Sequence, residues 1–183
     1  MPLKIEIPPH EFWDSENEKF VYTKAHTITL EHSLISLSKW ESKWHKPFLT
    51  DDEKWKKTNE EMLDYIRCMT IESNVDPLVY KLLTQKNIDD INNYIGDSMT
   101  ATWFSNEDDQ RPSREIVTSE VIYSWMAAAQ LPAEYQKWHL NRLMTTLKVI
   151  SKHNQPPKKM GRKGTLRQNA SLNAARRAAH GLK

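Results

Sequence analysis

Hydrophobic and polar positions along this chain follow two different periods. Leu3-Lys4-Ile5-Glu6-Ile7 alternates with period two, which places Leu3, Ile5 and Ile7 on one face of a strand that stops at Pro8-Pro9. Phe20-Val21-Tyr22-Thr23 and Thr27-Ile28-Thr29-Leu30 are β-branched and aromatic, and Asp14-Ser15-Glu16-Asn17 between them and the first strand is turn chemistry. The first 32 or so residues therefore predict a small antiparallel sheet of two or three strands.

After His32 the period becomes helical. Ser33 is placed to cap a helix over 34–44, with Leu34, Leu37, Trp40 (or Glu41) and Trp44 on one face and Pro47 beyond its end. Thr58-x-x-Glu61 is a capping box ahead of Met62, Tyr65, Ile66 and Met69, predicting a helix over roughly 59–71. Asp76-Pro77 opens a short helix through Leu83. Thr84 or Asn87 opens another, carrying Ile88, Ile91, Tyr94 and Ile95, with Gly96 as its left-handed cap. Pro112-Ser113 begins the most apolar segment; Val121 to Leu131 holds two polar residues in eleven and reads as the central helix of the domain. A last long helix is expected over about 133–153, with Leu140, Leu143, Leu147 and Ile150 as its stripe, ended by Gln155-Pro156-Pro157. The fold class is α+β, mostly α. A β element (1–32) precedes a domain of about five or six helices (33–157), and a basic arm (158–183) follows, marginally helical from a Thr165 cap.

Charge sharpens that division. The 183 residues carry 26 Lys and Arg against 24 Asp and Glu, yet no acid follows Glu134. The 12 bases after that point leave 14 against all 24 acids before it, so a body of −10 precedes a segment of +12. Such a split predicts either a solvated arm or one steered to an acidic partner. Glycine is scarce: residues 1–160 hold Gly96 alone, so no glycine-rich phosphate loop can be written and nucleotide binding by the usual loops is excluded. One cysteine, Cys68, rules out an intrachain disulfide and fits a reducing compartment. No apolar run reaches the ~18–20 residues of a membrane span, and the N-terminus lacks a secretory pattern; no membrane role is expected.

Catalytic constellations are wanting. The seven histidines show no H-x-x-x-H; His26 and His32 are an even number apart and could share a strand face. Asp51-Asp52-Glu53, Asp89-Asp90 and Glu107-Asp108-Asp109 fall in expected loops or on helix surfaces, where adjacent carboxylates diverge. No catalytic residue, cofactor or metal is expected, and the chain reads as non-enzymatic. Seven tryptophans are many for this length. Trp125 and Trp138 fit core packing, while Trp44, Phe48, Trp103 and Phe104 suit an interface. In the arm, Lys158, Lys159, Arg162, Lys163, Arg176 and Arg177 are candidate contacts to an acidic partner. Nucleic acid is the less favoured such partner, because the arm has no aromatic for base stacking.

The strings Leu30-Glu31-His32-Ser33-Leu34-Ile35-Ser36-Leu37-Ser38-Lys39-Trp40-Glu41-Ser42-Lys43-Trp44, Asp64-Tyr65-Ile66-Arg67-Cys68-Met69, Ser113-Arg114-Glu115-Ile116-Val117-Thr118-Ser119-Glu120 and Gln136-Lys137-Trp138-His139-Leu140-Asn141-Arg142-Leu143 resemble a family of small proteins of long-tailed bacteriophages described as tail assembly chaperones. The likeness extends through Pro156-Pro157-Lys158-Lys159-Met160 to Asn173-Ala174-Ala175-Arg176-Arg177. It implies a non-enzymatic protein of the host cytoplasm that covers the tape measure protein, or another tail protein, until the tail tube forms around it. A virion structural or connector protein is the alternative, with the virion as its location. Self-association is compatible with both, and a nucleic-acid-associated protein using the arm is a further alternative.

Overall fold

The computed structural model describes residues 2–14, 18–50, 52–104, 116–155 and 161–180. Four strands, β1 (Leu3–Ile7), β2 (His10–Asp14), β3 (Lys19–Thr23) and β4 (His26–Leu30), pair as two antiparallel ladders, β1 with β4 and β2 with β3. The β1–β4 register runs Leu3↔Leu30 to Ile7↔His26, and β2–β3 continues outward from His10↔Thr23. The ladder breaks at Pro8-Pro9, which have no N–H to donate to Lys24 or Ala25. Among the described residues the strands number four rather than the expected two or three, because β2 (His10-Glu11-Phe12-Trp13-Asp14) lacks a clear apolar alternation.

Ile5, Ile7, Ile28 and Leu30 bury one face of the inner ladder in the helical core. That core is formed by α1 (Leu34–Trp44), α2 (Asn59–Met69), α3 (Pro77–Lys81), α4 (Gln85–Gly96), α5 (Ser119–Ala128) and α6 (Leu140–Asn154). The capping signals act as expected. Ser33, Thr58 and Thr84 each accept from the backbone three residues on, and Asp76 caps the Pro77 helix. Beyond α2 the chain pairs with β4: Glu31 N donates to Met69 O at 2.8 Å and Ile71 N to Thr29 O at 2.9 Å. At the centre, Phe48 stacks on Tyr65 at 3.8 Å, Trp40 meets Phe48 edge-on at 5.0 Å, and the Trp40 indole N–H donates to Glu61 O at 2.7 Å.

Compact units comprise Met1–Ser151 and Lys152–Lys183. The second contains α7 (Arg162–Ala179), whose described side chains are nearly all exposed. This helix starts after Gly161 without a side-chain cap, so Thr165 is not its cap; the Thr165 hydroxyl instead donates back to Gly161 O one turn earlier.

Three other expectations are corrected. Gly96 is the last residue of α4, and the cap is Asp97 in an extended conformation (φ −65°, ψ 134°). A left-handed glycine is unnecessary there, because side chains from the start of α6 take the loose carbonyls. His139 Nε2 donates to Tyr94 O at 2.9 Å, and Asn141 Nδ2 donates to Ile95 O and Asp97 O. The final helix does not run unbroken from 133. A 3-10 turn over Ala133–Lys137 is followed by extended Trp138, and α6 begins only at Leu140, whose N–H donates to His32 O at 2.8 Å. The apolar helix is not central either: α5 starts at Ser119, with Thr118 extended, and buries only Ser119, Ile122 and Met126, leaving Ala127 and Ala128 exposed. Small alanines make a segment look apolar without giving it much surface to bury. Pro112-Ser113 lie outside the described residues.

The start of α5 is held from outside. Thr118 offers it no side-chain cap bond, but Glu41, buried on α1, accepts from Ser119 N at 2.7 Å through Oε2 and from Phe48 N at 2.9 Å through Oε1. A carboxylate at this point also meets the positive end of the α5 dipole. Glu41→Ala leaves two buried N–H groups unpaired and should cost about 3 kcal/mol, lowering the melting temperature by roughly 6–12 °C. Glu41→Gln, which keeps one acceptor, should lose about half as much. Thermal unfolding followed by circular dichroism measures both.

Candidate interaction surfaces

The candidate residues fall into three groups. Trp44 ends α1 half-buried, its indole N–H donating to Asp64 Oδ2 at 2.9 Å. Phe48, four residues on, is 8% exposed and belongs to the aromatic core, where its backbone N–H is also fixed by Glu41. Its ring therefore supports the surface rather than forming it. Trp103 is 81% exposed, and Phe104 beside it is half-buried with Lys148 Nζ 4.8 Å from its ring centroid. On α7, Lys163, Arg176 and Arg177 are exposed, the last two in the final turn, where cations suit the helix dipole. Lys158 and Lys159 lie outside the described residues, as does the side chain of Arg162.

Trp44 borders a groove of about 440 Å³ between α1, α2 and α3. Its floor is apolar (Trp44, Leu63, Tyr80), and Lys43, Arg67 and Lys81 stand around it with Glu60. Asp64 lies beneath, 5% exposed, with one oxygen bonded to Lys43 Nζ at 2.6 Å and the other to the Trp44 indole. The Arg67 guanidinium sits 5.2 Å from the Tyr80 ring centroid. Sequence reading found Trp44 but missed Arg67, Tyr80 and Lys81, because their convergence depends on how the short α3 packs on α2. The Asp76-Pro77 start signal fixes α3 as a helix but not which face it turns inward.

Buried polar chemistry gathers elsewhere. His32, 2% exposed, shares a 2.6 Å hydrogen bond between its Nδ1 and the Tyr65 hydroxyl, and its ring lies 5.0 Å from that of His139. Because Tyr94 O can only accept, His139 Nε2 carries the proton, and its buried Nδ1 has no partner among the described residues. Burial first, and the neighbouring His139 second, lower the His32 pKa to about 3; burial also lowers that of His139. His26 is exposed on β4, so it does not join His32 on a shared face. Among the described residues no three His, Cys, Asp or Glu side chains converge to hold a metal ion. Cys68 is half-buried and its thiol pKa is raised, chiefly by burial and then by Asp64. Glu61 pairs with Lys46, which holds its carboxyl below the usual range. Asp89 and Asp90 are exposed on α4 and Asp52 caps a 3-10 turn, while Glu107-Asp108-Asp109 lie outside the described residues. No described helix is long and apolar enough to cross a membrane.

The histidine pair gives stability a definite pH slope. The folded state binds His32's proton only near pH 3, whereas the unfolded chain binds it near 6.5. Stability is therefore lost as pH falls below 6.5, by about 2 kcal/mol between pH 7.5 and 5 from His32 alone. Glu61, Glu72 and Glu120, all lowered, add their losses below about pH 4.5. Urea unfolding at the two pH values should show the difference, and His32→Gln should flatten it.

Comparison with protein-family models, curated proteins and solved structures returned no match in any of the three.

Proposed function

We propose that this chain is a non-enzymatic protein-binding factor that acts, as its resemblance implies, as a tail assembly chaperone for a long helical tape measure protein. The observation that carries the reading is Trp103, whose large indole stands 81% exposed although the same chain builds a dense aromatic core around Trp40, Phe48 and Tyr65. Isolated exposed aliphatics need no explanation, but an exposed tryptophan is the side chain most often found anchoring an interface. Two further features support it. Phe20 and Tyr22, each 68% exposed, stand two residues apart on β3, so both point to the same face of its ladder. The acid-free α7 presents cations to whatever acidic surface it meets. A chaperone of this kind works by many moderate contacts that release together, which suits dispersed aromatics and a charged arm.

Co-expression with the tape measure protein should keep that protein in the soluble fraction, and Trp103→Ser should reduce the soluble yield several-fold without changing the factor's own melting temperature. Removing 158–183 should weaken the complex and blunt its salt dependence. A tape measure protein equally insoluble with and without this chain would refute the reading. Recovery of the chain from purified virions would favour a structural role, and a gel shift lost on removing the arm would favour nucleic acid.

A further inference from the structure

We infer that the α1–α2–α3 groove docks an acidic amphipathic helix of a partner protein, taking one bulky apolar side chain onto Leu63 and Trp44 and the neighbouring carboxylates onto Arg67 and Lys81. The inference rests on the protein-binding reading above and names the surface and the chemistry it selects. The groove's volume, about 440 Å³, suits a large side chain with its immediate neighbours, the size of an interface anchor. Its floor of Trp44, Leu63 and Tyr80 is apolar, so the anchor gains by leaving water.

The occupant's charge follows from the rim. Asp64 is 5% exposed and its charge is already met by Lys43, the Trp44 indole and Arg67, so it offers little to an incoming cation. Arg67 is held over Tyr80, with its Nη1 3.9 Å from Asp64 Oδ1, which fixes the guanidinium at the groove and leaves its remaining N–H groups to donate. Lys81 is exposed beside Tyr80, and no ion pair joins it to any described residue. Against these stands Glu60, itself exposed. The preceding body (residues 1–134) has a balance of −10, so an acidic helix is repelled by most of that surface and admitted here. The same rule excludes α7 of another copy as occupant, since it carries bases and no acid.

The test uses the isotope-labelled full chain and two synthetic 16-residue helical peptides with one Leu/Phe stripe, flanked by Glu in the first and Lys in the second. The Glu peptide should shift the Trp44 indole N–H and the amides of Leu63, Arg67 and Lys81, and bind at least tenfold more tightly than the Lys peptide. Lys81→Glu should narrow that preference to near parity while leaving the melting temperature unchanged. Equal binding of both peptides, shifts confined to α7, or groove shifts that grow with protein concentration in the absence of peptide (a second copy) would each overturn the inference. Co-expression separates the two claims. Peptide docking alongside a tape measure protein that stays insoluble sinks the chaperone reading alone. Rescue without peptide docking, undiminished by Lys81→Glu, sinks the groove alone.

Discussion

The carboxylate of Glu41 is the joint through which three parts of the body hold together. It belongs to α1, yet its two oxygens are committed to backbone N–H groups elsewhere, one at Phe48 and one at the first turn of α5. An ionised group is costly to bury, and it is kept only where charge-assisted bonds replace its water. Here those bonds fix the loop that carries Phe48 into the aromatic core and seat a helix that has no cap bond of its own. Trp40, beside Glu41 in sequence, meets edge-on the ring that this loop delivers. Position 41 thus sets the relation of α1 to α5, and position 40 sets its relation to α2.

A second seam, within the same unit, joins the start of α6 to the segment that follows β4. His32 O receives Leu140 N, His139 bridges to Ser33, and His139 with Asn141 closes the carbonyl end of α4. Four segments distant in sequence meet around two neutral imidazoles and two tyrosines. Neutrality is the condition of that arrangement, because a proton on either ring would place a charge where little solvent reaches it.

Local signals were legible in the sequence and long-range ones were not. The strand alternation at Leu3–Ile7 and the caps at Ser33, Thr58 and Asp76 depend on neighbours within four residues, and each forms as read. Gly96 misled because its supposed role is filled by His139 and Asn141, more than forty residues away. The alanines after Met126 misled because composition counts residues whereas burial counts area. Among the candidate surface residues, Trp103, Lys163, Arg176 and Arg177 are as exposed as their polar surroundings suggest. Phe48 could not be told from a surface aromatic until Tyr65 and Trp40 were placed around it.

The scarcity of glycine leaves its mark on the backbone. Five described non-glycine residues, Glu18, His45, Asn74, Met99 and Gln130, have positive φ, and His45 and Gln130 follow α1 and α5 directly or closely. A side chain in that left-handed region costs on the order of 1 kcal/mol that glycine would not. These helix exits therefore hold a reserve of robustness that the chain leaves untapped, and its tolerance to heat is set partly at its turns, well away from its core.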